Sequence, residues 1–210
     1  MKLLFFGDSI TDMNRNYNEN LDNAFSYGTG YVFHIAGQLM YEHPGFYSII
    51  NKGISGNKIT DLYNRFRNDV IKKNPDVITI LIGVNDVWHE ITTHSGTPIE
   101  TFTNLYLEMI ETIKQELPKT RIILMEPFVL YGAATKDAFE RFKDIYQYAK
   151  VIEDIAKKTN CFFLPLQREF DRISQHGGVN QLLYDGVHTN AGGAYLIAKN
   201  WLELFKTINL

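Results

Sequence analysis

Cysteine is almost missing from this chain: Cys161 is the single one among 210 residues, so no internal disulfide can form. A reducing compartment is the expectation. Long apolar runs are missing as well. No stretch approaches the roughly 18 residues a membrane span requires, and the N-terminal run Leu3 to Phe6 is too short for the h-region of a secretion signal. There is no block of five or more like charges, and the net charge is -3, which argues against a nucleic-acid surface and against a polybasic membrane anchor. Internal repeats, low-complexity tracts and linkers are absent too, as is the phosphate-loop pattern GxxxxGK followed by Ser or Thr. One domain over residues 1–210, soluble and cytoplasmic, with small-molecule partners, is therefore expected.

What is present fits an ordinary globular core: 45% of the residues are hydrophobic and 21% charged. The 14 phenylalanines and 12 tyrosines serve such a core, and equally a self-associating patch, so a homo-oligomer stays open. Short apolar runs predict strands at Lys2 to Phe6, Phe46 to Asn51, Val77 to Ile82, Arg121 to Glu126 and Cys161 to Pro165. Several are apolar nearly throughout, as parallel strands covered on both faces are.

Helical spacing fills the intervals. Thr97, Pro98 and Glu100 read as N-cap, first-turn proline and capping-box acid ahead of the stripe Ile99, Phe102, Tyr106, Met109, Ile110, Ile113 and Leu117. A helix from about Lys58 to Lys73 is stopped by Asn74-Pro75, and a last one from Asn190 to Phe205 buries Ala194, Ile197, Ala198, Trp201, Leu202 and Phe205. The βαβα order predicts an α/β fold, a doubly wound parallel sheet of five strands with helices on both faces.

In such a sheet, ligands bind outside the carboxyl ends of the strands. Four polar or glycine-rich stations converge there: GDS (Gly7 to Ser9) after the first strand, NKGISGN (Asn51 to Asn57) after the second, GVND (Gly83 to Asp86) after the third, and YDGVH (Tyr184 to His188) before the last helix. Together they supply acyl-transfer chemistry. A serine hydroxyl becomes a nucleophile when a histidine takes its proton, and a carboxylate on the other imidazole nitrogen fixes the tautomer. Ser9, His188 and Asp185 provide these groups. The Ser9 backbone N–H, the Gly56 N–H and the Asn85 side chain provide three donors for an oxyanion.

GDSI, SGN, GVND and DGVH, in this order, resemble the four blocks of the SGNH (GDSL-type) hydrolases, with Ile10 in place of the family's leucine. The resemblance implies a three-layer α/β/α, flavodoxin-like fold, Ser9 as nucleophile, His188 as base, Asp185 as its orienting acid, and Ser9, Gly56 and Asn85 as the oxyanion hole. It implies no cofactor and no metal. GDSITD, GTGY (Gly28 to Tyr31), NKGISGN and GVNDVW look like the acetylxylan esterases and related carbohydrate acetylesterases, which makes an acetylated sugar the expected ester. Asp8, Trp88 and Tyr184 are the expected substrate-binding neighbours, with Asp8 also tying down its loop. Two alternatives stay open: a general lipase or acylhydrolase (lysophospholipase or thioesterase), and a non-catalytic carbohydrate-binding relative.

The other polar residues receive plainer readings. GTGY is read as a turn entering a helix. His89 and His94 are read as loop residues, solvent-exposed or at the substrate rim, rather than metal ligands, Asp12 as a helix-start cap, and Asp86 as an acceptor for loop backbone donors.

Overall fold

The computed structural model describes residues 1–18 and 23–208. Five parallel strands, β1 (Lys2–Gly7), β2 (Ser48–Gly53), β3 (Val77–Leu81), β4 (Arg121–Met125) and β5 (Phe162–Leu164), form one sheet in the order β2-β1-β3-β4-β5. That is the flavodoxin-like order, whose topological switch point lies between β1 and β3. Among the described residues, ten α-helical segments connect or follow the strands: α1 (Ser9–Asp12), α2 (Tyr31–Glu42), α3 (Ile59–Asp69), α4 (Val84–Thr93), α5 (Ile99–Glu116), α6 (Phe139–Phe142), α7 (Ile145–Thr159), α8 (Gln167–Ser174), α9 (Val179–Leu182) and α10 (Ala191–Phe205).

Strand alternation sorts the helices into two layers. Phe5 faces α2 and α10, where its ring meets those of Tyr31 and Trp201. Phe6 faces the other way, with the Arg65 guanidinium of α3 4.3 Å from its ring centroid. Helix α2 packs on α10, and α5 packs on both α3 and α7. All five residues of β3 are buried, as expected for a strand covered on both sides. Trp201 is wholly buried and donates its indole N–H to Thr79 Oγ1 of β3 at 2.9 Å, so the largest core side chain leaves no orphaned donor. Each fully buried side chain of this size contributes about 1.5–3 kcal/mol.

The amphipathic stripes fall where the sequence places them. Phe102, Tyr106, Met109, Ile110 and Ile113 of α5 are buried, as are all six expected residues of α10. Three expectations are corrected. Strand β2 starts at Ser48 rather than Phe46, because the pairing runs from Lys2↔Ser48 to Gly7↔Gly53 and leaves Phe46 exposed ahead of it. Thr97 and Glu100 form no capping box: α5 has Pro98 at its cap, and the Thr97 backbone is engaged elsewhere, its N–H with Asp86 O and its carbonyl with the Tyr148 hydroxyl. The helix expected to reach Lys73 leaves α-geometry after Asp69 and finishes in a 3₁₀ turn, Ile71–Lys73, ending on a left-handed Asn74 before Pro75. No helix among the described residues is long and apolar enough to cross a membrane.

Candidate active site

The carboxyl ends of β1, β2 and β3 open onto a cleft of about 400 Å³, lined among others by Ser9, Gly56, Asn85, Trp88, Tyr184 and His188. It lies at the switch point of the sheet, where strand ends part and leave a crevice.

Ser9 reaches the cleft because β1 stops abruptly. A Cβ on Gly7 would stand 2.4 Å from Leu81 O and 2.5 Å from Thr11 Oγ1, so only glycine permits this approach between neighbouring strands and the following turn. Asp8 then caps the single turn α1, its Oδ1 accepting the Ile10 N–H at 3.0 Å. Ser9 is the first residue of that turn, so its own N–H has no intrahelical acceptor. GTGY cradles the same turn: a Cβ on Gly28, where φ is +72°, would meet Asp12 O at 2.3 Å, and one on Gly30 would meet Met13 Cγ at 2.5 Å. These glycines shape the fold beneath Ser9, and Gly30 leads into α2 as the sequence reading expects.

Ser9 Oγ lies 2.9 Å from His188 Nε2, and His188 Nδ1 lies 2.7 Å from Asp185 Oδ2. The turn that brings acid and imidazole together is built by the same carboxylate, whose Oδ1 accepts the N–H groups of Val187 and His188 at 2.9 and 2.8 Å. Gly186 sits at φ +102°, and its Cβ would be 2.6 Å from Leu130 O. Residues after β4 back the turn: Leu130 N–H donates to Gly186 O, and Ala134 N–H to Asp185 O. Their sequence carries no motif.

The electrostatics follow from this wiring. His188 titrates above the ordinary imidazole value because Asp185 accepts its hydrogen bond, an effect that outweighs partial burial. Burial pushes Asp185 upward, yet the bonds it accepts from the His188 ring and from the His188 and Val187 backbone hold it below the usual carboxylate range. Asp8, stripped of water, is pushed up to about 7. Asp86 is pushed up to about 7 by the same cause; the N–H it accepts at 3.1 Å is that of Ile59, at the start of α3 rather than in a loop.

Gly56 and Asn85 reach the cleft from opposite sides of β1. Gly56, at φ +82°, follows β2, and nothing occupies the space where its Cβ would stand. Asn85 lies in the first turn of α4 rather than in a loop, and its Nδ2 donates to Asn57 O at 3.0 Å. A side-chain amide has two N–H donors, so a second remains for a ligand. Trp88 and Tyr184 flank His188, each ring centroid 5.7 Å from the imidazole, with Tyr184 nearly parallel to it at 13°.

Three expectations change here. Asp12 is no helix-start cap: it is the last residue of α1, and the cap of that turn is Asp8. Asp8 does not touch the cleft: it is 1% exposed and turned into the protein, so it ties down its loop but cannot meet a substrate. His89 and His94 are not loop residues, since His89 belongs to α4 and lines the cleft, while His94 caps that helix in a left-handed conformation. Sequence reasoning missed Arg65. From α3 its guanidinium donates to Gly7 O, Lys52 O and Asn57 Oδ1, and so ties together the ends of β1 and β2 and the segment beside Gly56.

Hydroxyl, imidazole and carboxylate in series, with converging N–H donors nearby, can activate the hydroxyl and hold an oxyanion. Known proteins carry the same design. The profile of the GDSL-like lipase/acylhydrolase family matches residues 5–196. An acetylxylan esterase of Geobacillus stearothermophilus is 36% identical over 209 residues, covering 96% of this chain and 92% of that protein. A solved structure of Axe2, an acetyl xylan esterase of the same organism, in a tryptophan-to-isoleucine variant, superimposes with a TM-score of 0.87 at 32% identity, over 100% of this chain and 96% of that one. Three further Axe2 structures, with TM-scores of 0.84, 0.84 and 0.85, are of catalytic mutants. The histidine, serine and aspartate replaced there by alanine have the order and separations of Ser9, Asp185 and His188.

Proposed function

This chain belongs to the GDSL-like lipase/acylhydrolase family and is a carboxylic ester hydrolase, and from that premise we propose that it removes acetyl groups from O-acetylated xylo-oligosaccharides through an acetyl-serine intermediate. The observation that carries the reading is the continuous relay Ser9 Oγ, His188 Nε2, His188 Nδ1, Asp185 Oδ2, with spans of 2.9 and 2.7 Å at the cleft floor. The acetylated sugar is supported by the 36% identical acetylxylan esterase and by a cleft that sets the rings of Trp88 and Tyr184 beside hydroxyl, amide and imidazole groups.

Ser9 Oγ attacks the ester carbonyl while His188 Nε2 takes its proton. Asp185 keeps the Nδ1 proton in place and stabilises the imidazolium that forms. The tetrahedral oxyanion is held by the N–H groups of Ser9 and Gly56 and by the remaining Asn85 amide donor; one such donor is worth about 10²- to 10³-fold in rate. His188 returns its proton to the departing sugar hydroxyl, leaving acetyl-Ser9. Water activated by the same imidazole then releases acetate.

Two measurements test this. Steady-state rates on acetylated xylo-oligosaccharides should exceed those on nitrophenyl esters of long-chain acids, and a preference for chains of eight or more carbons would overturn the sugar assignment. A fluorophosphonate should label the folded protein at Ser9; an unlabelled Ser9 would remove the serine mechanism and favour a binding protein that kept the fold.

A further inference from the structure

We propose that Asp12 is a positioning residue for the oxyanion hole, fixing the Gly56 donor relative to Ser9 from within the turn that carries Ser9. The proposal rests on reading Ser9 as nucleophile and Gly56 as donor. Ser9 opens α1 and Asp12 closes it, so one turn of helix holds both. Asp12 is 3% exposed and does not line the cleft. Its Oδ2 accepts three donors: the Ser55 N–H at 3.0 Å, the Ser55 hydroxyl at 2.7 Å and the Tyr17 hydroxyl at 2.5 Å. Oδ1 accepts the Arg15 N–H at 3.2 Å. Two of these four bonds end on the residue just before Gly56.

Gly56 needs such a tether. It is exposed, its φ is +82°, and no atom lies within 4 Å of its would-be Cβ. With no packing on the side-chain face of its Cα, its placement depends on its flanks. On the far side, Asn57 accepts Arg65 Nε on its side chain and the Asn85 amide on its carbonyl. On the near side the side-chain anchor of Ser55 is Asp12. The contact is possible because β2 runs against α1: a Cβ on Gly53 would fall 2.2 Å from Asp12 N, while Asn51 Nδ2 donates to Thr11 O and Arg15 Nε to Gly53 O. Hydrogen bonds to a carboxylate are short and strong, which suits them to fixing a backbone donor within the narrow range an oxyanion accepts.

A positioning role has a signature that mere structural support lacks. The ground-state ester makes little use of the oxyanion hole, whereas a tetrahedral boronate adduct on Ser9 uses it as the transition state does. The test measures kcat, KM, the pH dependence of kcat/KM and the inhibition constant of an alkylboronic acid for wild type, Asp12→Ala, Asp12→Asn and Ser55→Ala. In Asp12→Ala we expect kcat to fall roughly 10- to 10²-fold, a part of what losing a whole donor costs. KM should stay within about twofold and the boronate should weaken by the factor lost in kcat/KM. Asp12→Asn keeps one acceptor oxygen and should fall between it and wild type; Ser55→Ala, which keeps the backbone bond, should lose only a few-fold, in the same ratio. The pH at half-maximal kcat/KM should not move, because the Asp185–His188 pair is untouched. The proposal is overturned if kcat/KM falls while boronate affinity holds, or if Asp12→Asn and Ser55→Ala both keep wild-type kcat, a result that decides even if Asp12→Ala does not fold. Mass spectrometry of fluorophosphonate-treated wild type separates the two levels: no adduct on Ser9 removes the underlying reading, whereas labelling with unaffected variants removes only this one.

Discussion

Asp185 binds His188 twice, through the ring Nδ1 at 2.7 Å and through the backbone N–H at 2.8 Å, so one side chain sets both the place of the imidazole and its basicity. Asp185→Asn should therefore separate two effects. The amide can still cap the turn but cannot hold the imidazolium, and kcat should fall by about 10³- to 10⁴-fold. The hydrogen bond to Asp185 is the leading cause of the raised His188 value, so the acid limb of kcat/KM should lie above pH 6.5 in wild type and move to lower pH in the variant. A pH–rate profile of both proteins checks the sign.

Ser9→Ala should abolish turnover with little effect on the fold. Its hydroxyl makes one side-chain contact, with His188 at 2.9 Å, and a single such bond contributes about 0.5–1.5 kcal/mol. Thermal unfolding and acetate release, measured on the same sample, distinguish loss of the nucleophile from loss of structure.

Asp8 predicts a pH dependence of stability. Its folded value of about 7 exceeds the ordinary 3.8 because it is buried, with Oδ2 lacking a hydrogen-bond partner among the described residues. Between about pH 4 and pH 7 the native state thus binds a proton that the unfolded state has released, and stability falls as pH rises through that window. Asp8→Asn keeps an acceptor for the Ile10 N–H and removes the titration. Relative to wild type it should gain on the order of 2–4 kcal/mol between pH 4 and pH 8, read from urea denaturation at each pH; a constant difference would refute the assignment.

Gly186→Ala should cost more than an ordinary surface alanine. Residue 186 sits at φ +102°, and the added methyl would meet Leu130 O at 2.6 Å. Strain of this kind costs about 1–3 kcal/mol, with the clash in addition. Because the same turn seats Asp185 and His188, kcat should drop together with the denaturation midpoint.

How far the sequence discloses this molecule depends on the range of each interaction. Strand β3 and the stripes of α5 and α10 are legible because burial writes a period of two or 3.6 into neighbouring residues. The four stations of the site are legible because each is a short run rich in Gly, Asp, Asn or His, three at strand ends and the fourth just ahead of the last helix. The Asp12–Ser55 tether joins residues 43 apart and the Arg65–Gly7 bond residues 58 apart, and no local pattern records such pairings. Local rules also lose where tertiary bonds compete: Thr97 looks like a cap, but Asp86 and Tyr148 hold its backbone. Asp8, an expected substrate neighbour, is instead a helix N-cap whose carboxylate turns inward.

The relay joins residues 179 apart in the chain. At about 5–20 residues per second, a ribosome makes Ser9, the proposed nucleophile, roughly 10 to 35 s before it makes His188, the proposed base. Throughout that interval the nascent chain carries Ser9 without the imidazole it bonds in the folded protein. The relay can therefore close only after all five strands, the last of which ends at Leu164, have been synthesised.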